Sequence, residues 1–367
     1  MRKHIRETPV TAKEIGRQLG LSQPTVSRIL SGDTGHRVSP ETRQRVLETA
    51  ARMGYRPNAL ARSLRQGRTN IIGFYTGYGY LDARNPFLAE LIGGLQRAAD
   101  PRRQDILLHG IFRGASTDDI YGELVDGRID GLFIHTHAAD PLAARLRKSS
   151  LPVVAIADAV EGVPSVVADD AGGTQLLLDY LWEKGHRCIG YVRPSQRFSS
   201  VERRYEAFRA WVAARNLSER ETPVFTVEYE ETAPALSAIR NAPGKPTAVC
   251  CWNDMTAFDL IYHCRQEAVR VPQDLAIVGF DGLLSDPRLS PRALVTVGAA
   301  WGQVTERAVE LLMRQIGLRS SGSSAPTNGN GNGNGHAVLK GAAAESLEAE
   351  IPPVTQFEVS LVRGDTV

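Results

Sequence analysis

Residues 11–30 read TAKEIGRQLGLSQPTVSRIL, and this stretch decides how the rest of the chain is understood. Ile15 and Leu19 lie one helical turn apart and make one face apolar, Gly20 ends that helix, and Ser22 is placed to cap a second one. The spacing predicts helix, tight turn, helix. On the second helix Val26, Ile29 and Leu30 point inward at helical spacing, while Gln23, Thr25, Ser27 and Arg28 are small or hydrogen-bonding. Donors and acceptors on an exposed helix face are what reading base edges in the major groove requires. Pro24 is tolerated because it falls in the first turn, where its missing N–H would have had no partner. A small helical bundle with a polar outer face fits the same pattern, so this stretch alone leaves both readings open.

The residues that follow narrow the choice. VSPETR, residues 38–43, places Ser39 as a cap and Pro40 as the first residue of a third helix, with Thr42 where a glutamate more often closes the capping box. Val46, Leu47, Ala50 and Met53 are expected to form its buried stripe, and Gly54 to end it. GYRPNALARSL follows over residues 54–64. In order and spacing, TVSRIL, VSPETR and GYRPNALARSL resemble the lactose/galactose repressor (LacI/GalR) family of transcription regulators.

That resemblance implies roles for single residues. Gln23 and Pro24 match the family's two variable base-reading positions, Arg28 a third base-contacting position, and Thr25 and Ser27 phosphate-contacting positions. Asn58 to Leu64, with Asn58 and Ala61 among its DNA-facing positions, matches the hinge helix that folds on the operator and sets a leucine, here Leu64, into the minor groove. An apolar wedge unstacks a base step and bends the duplex, which costs about a few kcal/mol and is offset by added contact. Pro24 departs from relatives that carry glutamine or alanine: it donates no bidentate hydrogen bond, so this position reads shape or a thymine methyl instead.

Composition agrees with such a division. A chain of 367 residues with 42% apolar and 23% charged content is globular and long enough for two or three domains. The net charge of +2 hides an asymmetry: residues 1–70 hold 14 Lys and Arg against 5 Asp and Glu, or +9, which leaves 29 against 36, or −7, for the remainder. A basic first fifth is a footprint for phosphates, where the bland alternative is a solvated cationic face. The sequence has no apolar run near 18 residues and no signal-peptide core in residues 1–10, so the expectation is a cytoplasmic protein with no membrane partner. Cys188, Cys250, Cys251 and Cys264 show no metal-ligand spacing and are read as reduced and packed.

Beyond the polar linker at residues 66–70, apolar strands alternate with helices. Strands are expected at 71–75, 106–108, 131–134 and 152–156, with helices at 88–99, 118–125 and 141–149 between them. A second round starts near Val166, with helices at 172–184, 200–215 and 255–267 and strands at 188–192, 248–252 and 275–280. Continuous apolar strands separated by helices imply parallel sheets covered on both faces, and two rounds imply two lobes with a cleft at the carboxyl ends of their strands. The fold class is therefore α/β: an all-α helix-turn-helix head on a two-lobed core of parallel sheets, which the resemblance makes periplasmic-binding-protein-like. The expected domains are a DNA-binding head at 1–57, a hinge helix and linker at 58–69, and an effector-binding and dimerisation core at 70–367. Within that core, lobe 1 takes about 70–166 and 298–318, and lobe 2 about 167–297 and 355–367. Residues 319–350, which include four Asn-Gly repeats at 328–335, read as a flexible insertion before a last strand at 356–362.

Polar residues that follow the strands are candidates for the cleft. Asp158, Asn253 and Asp281 come at strand ends and Arg204 lies on a helix, a set suited to many hydroxyls, although each alone reads equally as a cap or a surface residue. The resemblance places all four on family ligand positions, puts Phe87 and Leu88 in a wall opposite them, and matches Tyr229 loosely to another aromatic wall. His135 and His137 are spaced like a metal pair but lack a third ligand, and no serine, histidine and acid set can be assembled, so neither metal, cofactor nor enzyme activity is expected. The resulting expectation is a homodimeric, sequence-specific regulator of double-stranded operator DNA, a repressor controlled by a sugar-like effector. The alternative is a solute- or sugar-binding protein with a non-reading basic tether.

Overall fold

A computed structural model describes residues 10–32, 38–57, 63, 67–78, 85–110, 115–137, 139–196, 198–228, 232–283, 293–322 and 353–367. The chain divides into two units, residues 1–69 and 70–367.

The first unit is built from local signals. Helix α1 (Ala12–Leu19) opens on a capping box in which the Thr11 hydroxyl accepts the Glu14 N–H at 3.3 Å and the Glu14 carboxylate accepts the Thr11 N–H at 2.8 Å. It ends at Gly20, whose φ of +68° is the left-handed cap that glycine adopts most readily. A side chain at Gly16 would put its Cβ 2.6 Å from the Leu21 carbonyl oxygen, so glycine is what lets the turn close over α1. Helix α2 (Gln23–Leu30) is capped by Ser22 and α3 (Pro40–Arg52) by Ser39, both with proline in the first turn. Ile15, Val26, Ile29, Val46 and Ala50 form the core. Each large apolar side chain contributes about 1.5–3 kcal/mol, a modest total for so small a unit. Leu47 departs from the expected stripe at 44% exposure, and Thr49 is buried in its place. The inward positions of α3 step 46, 49, 50, and residue 47 falls a quarter-turn outside them.

The second unit contains two parallel sheets. Strands β1 (Ile71–Thr76), β2 (Asp105–Leu108), β3 (Gly131–His135), β4 (Val153–Ile156), β5 (Ser165–Ala168) and β11 (Val354–Phe357) form the first, in the order β11-β5-β4-β3-β1-β2. Strands β6 (Ile189–Pro194), β7 (Val224–Val227), β8 (Ala248–Cys251) and β9 (Ala276–Val278) form the second, in the order β7-β6-β8-β9. An antiparallel pair, β10 (Thr296–Ala299) with β12 (Val359–Val362), lies alongside β9 through bridges from Val278 to Val295 and from Asp281 to Gly298. Helices α4 (Pro86–Ala99), α5 (Thr117–Leu124), α6 (Pro141–Leu146) and α11 (Trp301–Gly322) belong with the first sheet, and α7 (Asp170–Glu183), α8 (Ser199–Ala214), α9 (Ala233–Asn241) and α10 (Asp254–Gln266) with the second. Gly94 on α4 lies so near α11 that a Cβ there would meet Thr305 at 2.6–3.1 Å.

Two expected boundaries shift. Residues 165–168 complete the first sheet, so the second round starts at α7. The expected last strand at 356–362 is two strands broken at Glu358, β11 on the first sheet and β12 beside the second. Helix α11 also runs to Gly322, four residues into the expected insertion, whose residues 323–350 lie outside the described ones.

Candidate functional site

On the first unit, the surface offered by α2 follows its sequence. Val26 and Ile29 are buried, which turns Gln23, Pro24 and Arg28 outward, with Thr25 and Ser27 half-buried beside them. The Thr25 hydroxyl lies 2.8 Å from the Ser22 hydroxyl, and Arg28 makes no ion pair among the described residues. Asn58, Ala61 and Leu64 lie outside the described residues.

On the second unit, the carboxyl ends of both sheets face one cavity of about 360 Å³. Six of the seven candidate ligand residues line it: Phe87, Leu88, Asp158, Arg204, Asn253 and Asp281. Tyr229 lies outside the described residues. Asp158 follows β4, where Ala157 turns the chain at φ +71°. Its carboxylate accepts the Tyr78 hydroxyl at 2.7 Å, the Ser199 hydroxyl at 2.8 Å and the Ser200 N–H at 2.8 Å, and lies 3.5 Å from His135 Nε2. Burial works to raise this carboxyl, but the hydrogen bond and charge of His135, with the hydroxyls of Tyr78 and Ser199, outweigh it and hold it well below the usual carboxylate range.

Arg204 is fully buried. Its Nε donates to Asp170 at 2.8 Å, Nη1 to the Trp252 carbonyl at 2.6 Å and Nη2 to Asp281 at 3.3 Å, and its guanidinium lies 3.5 Å over the Phe280 ring. Against burial, Asp170 and Asp281 hold it above its ordinary value. Asp281 takes φ +127°, a backbone state that L side chains rarely adopt. It is held there by its own N–H on the Val297 carbonyl at 2.9 Å and by Trp301 Nε1 on its carbonyl at 2.8 Å. Burial pushes the Asp281 carboxyl up, against the opposing pull of Arg204. Asp254, behind it, is pushed up by burial and then by the charge of Asp281, while accepting the Thr296 hydroxyl at 2.6 Å and the Leu283 N–H at 2.7 Å.

Aromatic rings close the cavity. Phe87 meets Trp301 edge-on at 5.1 Å, and Tyr78 packs on His135 at 4.7 Å and on Phe198 at 4.4 Å. Sequence reasoning missed Tyr78, Phe198, Ser200, Trp252, Met255 and Trp301, all of which line the cavity, and weighed His135 only as half of a metal pair. Trp252 carried a readable signal, since it sits at the end of β8 just before Asn253.

Two family models match the chain: "Bacterial regulatory proteins, lacI family" over residues 11–58 and "Periplasmic binding protein-like domain" over residues 178–329. The chain joins a LacI-family head to a periplasmic-binding-protein-like domain. It is a DNA-binding transcriptional regulator, with α1–α3 as the helix-turn-helix head and the two-sheet unit as the periplasmic-binding-protein-like core. Catabolite control protein A of Priestia megaterium is 26% identical over 322 residues, covering 86% of this chain and 95% of that protein. The Lac repressor dimer bound to operator and the anti-inducer ONPF shares the fold, with a TM-score of 0.74, 19% identity, and coverage of 98% of this chain and 99% of that one. The CelR–cellobiose complex has a TM-score of 0.64 and 21% identity, covering 98% of this chain and 100% of that one.

Proposed function

We propose that this regulator is a cytoplasmic repressor whose hold on DNA is set by a small polar, sugar-like molecule in the cleft. Two copies grip two half-sites of a near-palindromic operator, since a twofold protein favours twofold DNA. Gln23, Pro24 and Arg28 read bases and Thr25 and Ser27 meet phosphates, while Asn58, Ala61 and Leu64 engage the minor groove. Phe87, Leu88, Asp158, Arg204, Tyr229, Asn253 and Asp281 hold the effector. The observation that carries this reading is the meeting of six of those side chains at one cavity between the sheets, on a chain whose α2 turns Gln23 and Arg28 outward. The similarity to the CelR–cellobiose complex supports a sugar.

Effector binding that moves the lobes changes operator affinity through a coupling on the order of 1–3 kcal/mol. The test is a gel-shift panel of inverted repeats with the full chain, with and without sugars. Binding to one repeat that falls in Arg28→Ala and Leu64→Ala, and shifts with one sugar, is the expected result. Binding to every repeat that ignores both substitutions sinks the proposal. A shallow dependence on salt would favour the tether alternative, because several neutralised phosphates give a steep slope.

A further inference from the structure

Among the described residues, Asn85, Asn253 and His135 carry polar atoms left over in the cleft, each fixed by what the rest of its side chain already does. Asn85 caps α4, its Oδ1 accepting the Phe87 and Leu88 N–H groups at 3.0 and 3.2 Å; Asn253 caps α10, its Oδ1 accepting the Thr256 N–H at 2.9 Å. An amide whose oxygen is committed to backbone N–H groups has its NH2 left to donate elsewhere. Both residues line the cavity, one on each lobe, and neither Nδ2 makes a hydrogen bond among the described residues. His135 is 8% exposed and also lines the cavity. Its Nε2 faces Asp158 at 3.5 Å, and its Nδ1 is buried with no hydrogen-bond partner among the described residues. With Nε2 turned to the carboxylate, Nδ1 is the ring nitrogen left to hydrogen-bond elsewhere.

Charge narrows the ligand further. Arg204 is the cation of the described lining, and with Arg203, which pairs with Asp170 at 2.6 Å, it is set against two carboxylates, Asp170 and Asp281. Two of its five N–H bonds remain able to donate, but with no net positive charge to spare. Asp158 adds a carboxylate on the opposite lobe. A phosphate or carboxylate entering here would be desolvated among like charges, whereas hydroxyls could both donate and accept, and the Phe87 and Trp301 rings suit the apolar face of a sugar ring.

Granted an effector held between the lobes, as proposed above, we infer that the cleft selects an uncharged, hydroxyl-bearing ring and rejects its phosphorylated and carboxylate counterparts. His135 Nδ1 hydrogen-bonds one ligand hydroxyl, and the Asn85 and Asn253 amides donate to others from opposite sides.

The test is calorimetric titration of the full chain with matched sets: glucose, galactose, mannose and cellobiose, with the 6-phosphates and uronates of the three monosaccharides. At least one neutral sugar binds, and an anionic counterpart binds at least tenfold more weakly or not at all. Asn85→Asp and Asn253→Asp retain the capping oxygen and the melting temperature, yet exchange a donor for an acceptor and lose at least tenfold in affinity. His135→Phe loses as much, and His135→Asn, which restores a hydrogen-bonding group, recovers part of it. The inference is overturned if an anionic member binds as tightly as its neutral parent, if no neutral member binds, or if His135→Phe and Asn85→Asp bind unchanged. An anionic sugar that binds and alters operator affinity would leave the effector cleft standing and remove only the charge selection. A neutral sugar that binds without altering operator affinity would count against the effector role alone.

Discussion

The carboxylate of Asp158 accepts the backbone N–H of Ser200 at 2.8 Å, joining the strand end of β4 in one lobe to the first turn of α8 in the other. Phe198, the residue at the N-cap of α8, provides no side-chain hydrogen bond, so the cap for this helix is supplied from the opposite lobe. Asp158→Ala leaves the Ser200 N–H without its acceptor and is expected to destabilise the core by about 1–3 kcal/mol. Asp158→Asn, which keeps an acceptor, is expected to cost less than half as much. Urea unfolding of the two variants side by side checks the ranking, and equal losses would remove the capping role.

The same carboxyl makes a prediction about acid. Its folded-state pKa lies below its unfolded value, so its contribution is fully present above the ordinary carboxylate range and is lost as pH falls through that range towards the folded value. Melting temperature measured from pH 6 downward is expected to fall less steeply in Asp158→Asn than in the parent chain. Parallel curves would argue against it.

Asp254 has the opposite sign. Burial and the charge of Asp281 raise its folded-state pKa, so the stability tied to its proton is complete below the unfolded pKa of about 4 and declines as pH rises from there towards the folded value. Asp254→Asn keeps a neutral side chain at every pH. Between pH 4 and 8 its stability is expected to drift less than that of the parent chain, which differential scanning calorimetry would resolve.

Gly16 gives a prediction confined to the head. The Cβ of Gly16→Ala would lie 2.6 Å from the Leu21 carbonyl oxygen, a backbone atom that moves only if the turn does. Overpacking of this kind costs about 1–3 kcal/mol. Retention on operator DNA is expected to drop at least tenfold while the melting of residues 70–367 stays unchanged, and undiminished DNA binding would show that the turn yields freely.

For base reading, Gln23→Ala is expected to relax selectivity at one operator position by about 1–3 kcal/mol, the worth of a good bidentate pair. Arg28→Ala lowers affinity as well. Selection of binding sites from a randomised pool reports both, and an unchanged consensus for Gln23→Ala would exclude that residue from readout.

What the sequence disclosed follows the range of the interactions. The head was legible because Thr11, Ser22 and Ser39 cap helices through atoms three residues away and Gly20 ends α1 locally. Strands β1, β3, β4 and β8 were legible as apolar runs. Strand β7 was not, because it lies at a sheet edge with Val224 at 39% exposure and lacks a continuous apolar signature. The membership of β11 in the first sheet depends on its pairing with β5, 189 residues apart from Ser165 to Val354, which no local pattern records. In the cleft, Asp158, Asn253 and Asp281 showed themselves by following strands. Tyr78 could not, since its partner Asp158 is 80 residues away, and Trp301 meets Asp281 only through a carbonyl.

The break at Glu358 has a consequence for biosynthesis. Residues 354–357 supply the edge of one sheet and 359–362 the partner of β10, and further on the Thr366 hydroxyl accepts the Val295 N–H. A ribosome must therefore deliver these late segments before either half of the core can close, whereas the core of the small helical head draws on residues 10–55 alone. Such late, long-range pairing is slow and leaves sticky intermediates. Truncation before residue 354 should leave both halves unfinished at once.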